Sequence, residues 1–139
     1  MRKALSLAAG AALLVVLGAP AASASVTQVI TVNTARTSSS VHGLSFSFTE
    51  RLSQGNKTVG HDAVTCTFTS PSPTAVAHCT GVAIFPGSGD LFVRATGTST
   101  GATGRVVGGT GAFTNARGTL LVVNAPNGKT GQLTLTFHV

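Results

Sequence analysis

The chain carries only three acidic residues, and the neighbours of two of them, Glu50 and Asp62, decide what chemistry they can do. Glu50 continues a face set out by Leu44, Phe46 and Phe48, with Leu52 beyond it. Side chains two apart on a strand share a face, so strict alternation turns the Glu50 carboxylate toward those apolar groups. A carboxylate held among apolar side chains is costly while ionised, and its pKa rises. That is the setting of a general acid, or of a polar anchor for a ligand. The other reading open to Glu50 is a solvated place at a barrel mouth, bridged to a surface arginine. On the first reading Phe46, Phe48 and Leu52 form the wall of a ligand pocket beside it.

Asp62 shares a face with Val64, Cys66 and Phe68, provided the strand runs unbroken from Val59. It would then join Glu50, and two neighbouring carboxyls push one pKa upward, which suits acid catalysis. The alternative is a strand end at which Asp62 bonds a turn. Arg117 completes the candidate catalytic set. A buried guanidinium there would pair with Glu50 or receive an anion, whereas an exposed one would cap carbonyls left over by a bulge.

Other chemistries find little footing. His42, His61, His78 and His138 are dispersed, and only His78 adjoins a cysteine. Adjacent residues on a strand face opposite ways, so that pair does not share a metal, and no metal site or cofactor is expected. No G-x-S-x-G nucleophile elbow is present.

The elements that must position these residues are strands. From Ser25 onward Val, Thr, Ser, Gly and Phe dominate, and no segment spaces its apolar residues for three helical turns. Leu133, Leu135 and Phe137 alternate with Thr134, Thr136 and His138, as the residues around Glu50 do. Turn-forming clusters punctuate the runs at Ser38 to Ser40, Gln54 to Asn56, Ser70 to Pro73, Pro86 to Gly89, Gly101 to Gly104, Gly108 to Gly111 and Ala125 to Gly128. The segments between them make about eight short strands in meander order, an antiparallel arrangement. One open sheet would leave bare edges and a bare face, so closure into a barrel or a two-sheet sandwich is expected. Cys66 and Cys79 flank the Ser70 to Pro73 turn, which sets them opposite one another as a structural disulfide.

The amino terminus reads as an export signal. Arg2 and Lys3 precede an uncharged apolar stretch from Ala4 to Gly18, and Ala22-Ser23-Ala24 offers small residues for cleavage after Ala24. Residues 1–24 are thus expected to be a signal peptide and residues 25–139 one secreted domain, with no membrane attachment after cleavage. Loss of Arg2 and Lys3 lowers the formal net charge from +6 to +4. The remaining basic residues stand singly, and the chain has no Trp or Tyr to stack on bases, so nucleic acid is not an expected partner.

Two stretches carry a family resemblance. The first is Phe48-Thr49-Glu50-Arg51-Leu52-Ser53-Gln54-Gly55, followed by Val59-Gly60; the second is Val107-Gly108-Gly109-Thr110-Gly111-Ala112-Phe113, running into Ala116-Arg117-Gly118-Thr119. In this order they resemble the dirigent and allene oxide cyclase barrel superfamily, with its F-x-D/N-x-L…G, V-G and V-G-G-T-G-x-F-x-x-A-R-G patterns. The resemblance implies an eight-stranded antiparallel up-and-down β-barrel with an apolar cavity open at one end, and a homotrimer as in the plant members. Glu50 resembles the pocket Asp of dirigent proteins or the pocket Asn of the cyclases. The function implied is binding of a small hydrophobic molecule and steering of its cyclisation or coupling, without a cofactor. The alternative is a non-catalytic exported barrel that binds a ligand or a protein.

Overall fold

The computed structural model describes residues 25–139; the expected signal peptide, residues 1–24, lies outside them. Eight antiparallel strands follow one another around a closed barrel: β1 (Gln28–His42), β2 (Ser45–Gln54), β3 (Lys57–Phe68), β4 (Ala77–Phe85), β5 (Gly89–Thr98), β6 (Gly101–Gly109), β7 (Arg117–Asn124) and β8 (Thr130–His138). β8 pairs back onto β1, with Val32 opposite Leu133 and Ile30 opposite Leu135, so neither edge stays open. The expected up-and-down barrel is the observed fold.

Alternation does the sorting. Val32 on β1, Leu52 on β2, Leu91 on β5, Val106 on β6, Leu120 on β7 and Leu135 with Phe137 on β8 are buried, while their sequence neighbours face out. Burying a side chain of this size stabilises the fold by about 2 kcal/mol. A single turn of 3₁₀ helix at Gly111–Phe113 brings Phe113 onto Phe85 and Phe137, edge to face, with ring centroids 5.9 and 5.6 Å apart. These rings plug one end of the barrel.

The turn signals mark true reversals in four of the seven places. Ser38 to Ser40 instead lies inside β1, and Gly101 to Gly104 inside β6. A Ser/Thr run can reverse the chain, but it also suits a wet sheet face. Here Thr37 and Ser38 each share a hydroxyl hydrogen bond of 2.7 Å with Thr49 across the strand pair. The reversal comes later, at Gly43, whose φ of 62° an L side chain rarely adopts.

The Gly108 to Gly111 signal divides. Gly108 and Gly109 end β6, next to a register shift at Phe92/Val93 that leaves Val107 as the bulged residue, and Gly111 with a φ of 60° starts the 3₁₀ turn. A second shift lies at Leu52/Ser53, opposite Gly60 and Thr58, and leaves Val59 as the bulged residue within the continuous strand β3. Parity is regular from Gly60 onward, which keeps Asp62, Val64 and Cys66 on one face. Cys66 and Cys79 are register partners across β3 and β4 and form a disulfide.

Candidate functional site

The half of the barrel away from the phenylalanine plug is hollow. Its inward positions on β4, β5 and β6 carry small residues, among them Ala77, Gly81, Ala95, Gly97 and Ala102, where the plugged half carries Leu, Val and Phe. Removing side-chain volume from one end leaves a cavity of about 640 Å³. Its mouth is framed by the β1–β2, β3–β4, β5–β6 and β7–β8 hairpins, represented by Gly43, Pro71, Ser99 and Gly128. Such a volume suits a small organic molecule.

Charge enters this apolar space at one level. Arg36 on β1 is the register partner of Glu50 on β2, and Glu50 is the register partner of Asp62 on β3. All three line the cavity and are its only charged side chains among the described residues. A β-bulge between Arg36 and Ser38 re-aims β1 just past the arginine. Arg36 Nη2 lies 3.8 Å from Glu50 Oε2, an ion pair too long to be a hydrogen bond. Its guanidinium also stacks on Phe48, 4.1 Å from the ring centroid.

Burial dominates the electrostatics of the two acids. The Glu50 pKa is raised, chiefly by loss of solvent, against the opposing pull of Arg36 and a hydrogen bond with Asp62. Asp62, only 6% exposed, is pushed up to about 8, first by burial, then by the neighbouring Glu50 charge and by donating its proton to Glu50. Asp62 is therefore the carboxyl of the row that holds a proton at neutral pH. Two buried atoms in it lack a hydrogen-bond partner, Arg36 Nε and Asp62 Oδ1.

The expected pocket residues divide. Phe46 and Phe48 line the cavity and continue as a stack onto Phe68, with centroids 5.8 Å apart for Phe46 and Phe48 and 5.0 Å for Phe46 and Phe68. Leu52 points inward too but lies below the acidic row in the packed core and does not line the cavity. Glu50 and Asp62 are inside, at a strand interior in each case.

Arg117 is not with them. It is exposed at the start of β7, outside the cavity, and its Nη1 donates to the Ala116 carbonyl at 2.8 Å. The bulge and the 3₁₀ turn before β7 leave it on the outer wall, so it neither pairs with Glu50 nor reaches the cavity. The arginine that does pair, Arg36, stands two positions beyond Thr34 and four beyond Val32, on the face that faces in. Counting by twos from Ile30 finds it.

The barrel has a solved structural neighbour. A chain described as pyocyanin demethylase superposes with a TM-score of 0.70 at 23% identity, over 79% of this chain and 99% of that one. A likeness at this identity shows the shared fold alone. No protein-family model and no curated protein sequence matches the chain.

Chemically, the row can hold a proton and give it up. A carboxyl that holds a proton beside a second carboxyl, in a largely apolar cavity with an arginine to hold negative charge, can donate to a bound molecule and recover the proton through its neighbour. Among the described residues no cluster of His, Cys, Asp and Glu could hold a metal ion.

Proposed function

We propose that this chain is an exported barrel that holds a small, largely apolar molecule in its cavity, with the polar part of that molecule on the Arg36–Glu50–Asp62 row. Asp62 is the proton donor of this reading, and Glu50 is the polar anchor that receives a proton in turn. The row steers cyclisation or coupling of a conformer that the cavity walls hold, because orientation in a water-poor site alone supplies several kcal/mol, of the order of 7 or more in the best cases.

The observation that carries the reading is the placement of all three charged cavity residues on adjacent register positions, at the floor of a largely apolar space. Residues that only kept the barrel folded would gain nothing from burial there. The neighbour's name, a demethylase of pyocyanin, supports small-molecule use of this fold. Export is supported by the Arg2 to Ala24 pattern and by the disulfide, since disulfides persist in oxidising compartments.

The test is displacement of a neutral fluorescent probe, N-phenylnaphthylamine, from purified protein beginning at Ser25, beside native mass spectrometry for a co-purified ligand. Saturable probe binding that is lost in Ala95→Trp, which fills the cavity from β5, is the expected result. Probe binding unchanged by that variant would place it elsewhere and remove the cavity from the function.

A further inference from the structure

The charge count of the cavity says more about the ligand than its size does. One cation, Arg36, faces two acids, Glu50 and Asp62. Arg36 is already engaged, by its ion pair to Glu50 and by its stack on Phe48. The element on the far side of Asp62 brings no countercharge, because the register partner of Asp62 on β4 is Ala83. Asp62 is thus buried beyond nine-tenths, lines the cavity and keeps Oδ1 without a partner.

We propose that the cavity selects a cationic ligand, a compact apolar molecule whose positively charged nitrogen lies against Asp62 while its body runs along Phe48, Phe46 and Phe68. The proposal rests on the reading of the cavity as a small-molecule site, and for a cationic ligand it gives Asp62 the role of counterion in place of proton donor. A buried charge needs a partner of opposite sign. A ligand carboxylate would set a further negative charge beside two acids and a single arginine, whereas an ammonium takes the place of the Asp62 proton and leaves two pairs, Arg36 with Glu50 and ligand with Asp62. An N–H on that nitrogen also satisfies Oδ1. The aromatic wall adds attraction, since the face of a phenyl ring favours cations.

Proton linkage gives this selection a signature. The Asp62 carboxyl, pushed up to about 8 by burial and by Glu50, is protonated at neutral pH. The groups facing it are Arg36 from β1 and Glu50 from β2, and β4 adds no titrating group. A cation seated against it displaces that proton, so affinity for the cation rises as pH rises toward about 8 and then levels off. An uncharged ligand of the same shape releases no proton.

The experiment compares three probes on one ring system, naphthylmethylammonium, naphthylmethanol and naphthoate, against the wild-type chain and Asp62→Asn. The ammonium is expected to bind about tenfold or more tightly than the alcohol, the range of a charge-assisted hydrogen bond, with naphthoate weakest. Calorimetry in two buffers of different ionisation enthalpy is expected to show release of close to one proton on ammonium binding at pH 7. Asp62→Asn is expected to abolish both the preference and the proton release. Equal binding of ammonium and alcohol, tighter binding of naphthoate, or an ammonium preference that survives in Asp62→Asn overturns the charge selection and leaves the small-molecule reading standing. Binding of none of the three overturns both.

Discussion

Glu50 and Asp62 are register partners across β2 and β3, so their carboxyls leave the same rung of the barrel and enter the same cavity. Everything distinctive about the chemistry here follows from that pairing and from Arg36 on the next strand.

Stability against pH should carry the mark of Asp62. Its folded pKa of about 8 stands above the ordinary 3.8, so the folded state binds a proton that the unfolded chain has lost over the interval between them. Stability is then fully present below about pH 4 and falls as pH rises toward 8, by about 1.4 kcal/mol for each pH unit at most. Asp62→Asn removes that slope. Urea unfolding of the two proteins should coincide most closely in acid, with the variant clearly the more stable near pH 8. A wild-type profile that is flat across this range contradicts a protonated Asp62.

Removing the charge of Glu50 should act through its neighbour. Glu50 is the second cause of the Asp62 shift, after burial, and in Glu50→Gln the freed Arg36 has only Asp62 to pair with. The Asp62 carboxyl should titrate well below its wild-type midpoint in this variant, by about a pH unit or more. The barrel itself should stay folded, as judged by its circular dichroism. An unmoved midpoint would mean that the two carboxyls do not sense one another.

The legibility of this fold in its sequence was uneven for physical reasons. Period-two alternation around Phe46 and Leu135 shows directly which side of a strand is dry, and closure follows because an open sheet of this length would expose its edges. Glu50 and Asp62 could therefore be aimed inward from the sequence. What alternation does not show is where a bulge resets it. The Leu52/Ser53 shift leaves Asp62 in phase, while the chain reversal before β7 carries Arg117 to the outer wall. Nor does it show depth. Leu52 and Phe48 share a face, yet Leu52 lies in packed core and Phe48 in the cavity, because residues on distant strands, Ala95 and Gly97 among them, decide which level is hollow.

Arg36 was findable and its partner was not. It continues the inward face of Val32 and Thr34, but pairing with Glu50 depends on the β1–β2 register, set by a turn at Gly43 rather than by the Ser38 to Ser40 cluster. Arg36→Met keeps an apolar stem beside Phe48 and deletes the charge. Since Arg36 lowers the pKa of both acids, both should rise in the variant, and with the Asp62 midpoint moved above about 8 the stability lost between neutral and alkaline pH should exceed that of the wild type. Arg117→Ala should leave the titration of both acids unchanged, which separates the arginine inside the barrel from the one outside it.

The disulfide ties β3 to β4 at the wall of the cavity. Exported protein should show no free thiol after denaturation without reductant. The double variant Cys66→Ala, Cys79→Ala should lose about 3 kcal/mol in urea unfolding, the chain-entropy value for a loop of this length. Two thiols for each denatured chain would contradict the bridge.

The most direct test is to follow the side-chain carboxyl carbon of Asp62 by NMR through a pH titration, assigned by comparison with Asp62→Asn. A midpoint near 8 is the outcome expected of an aspartic acid held beside Glu50 inside the barrel. A midpoint near the ordinary 3.8 would put that side chain in water and contradict the acidic row on which the proposed function depends.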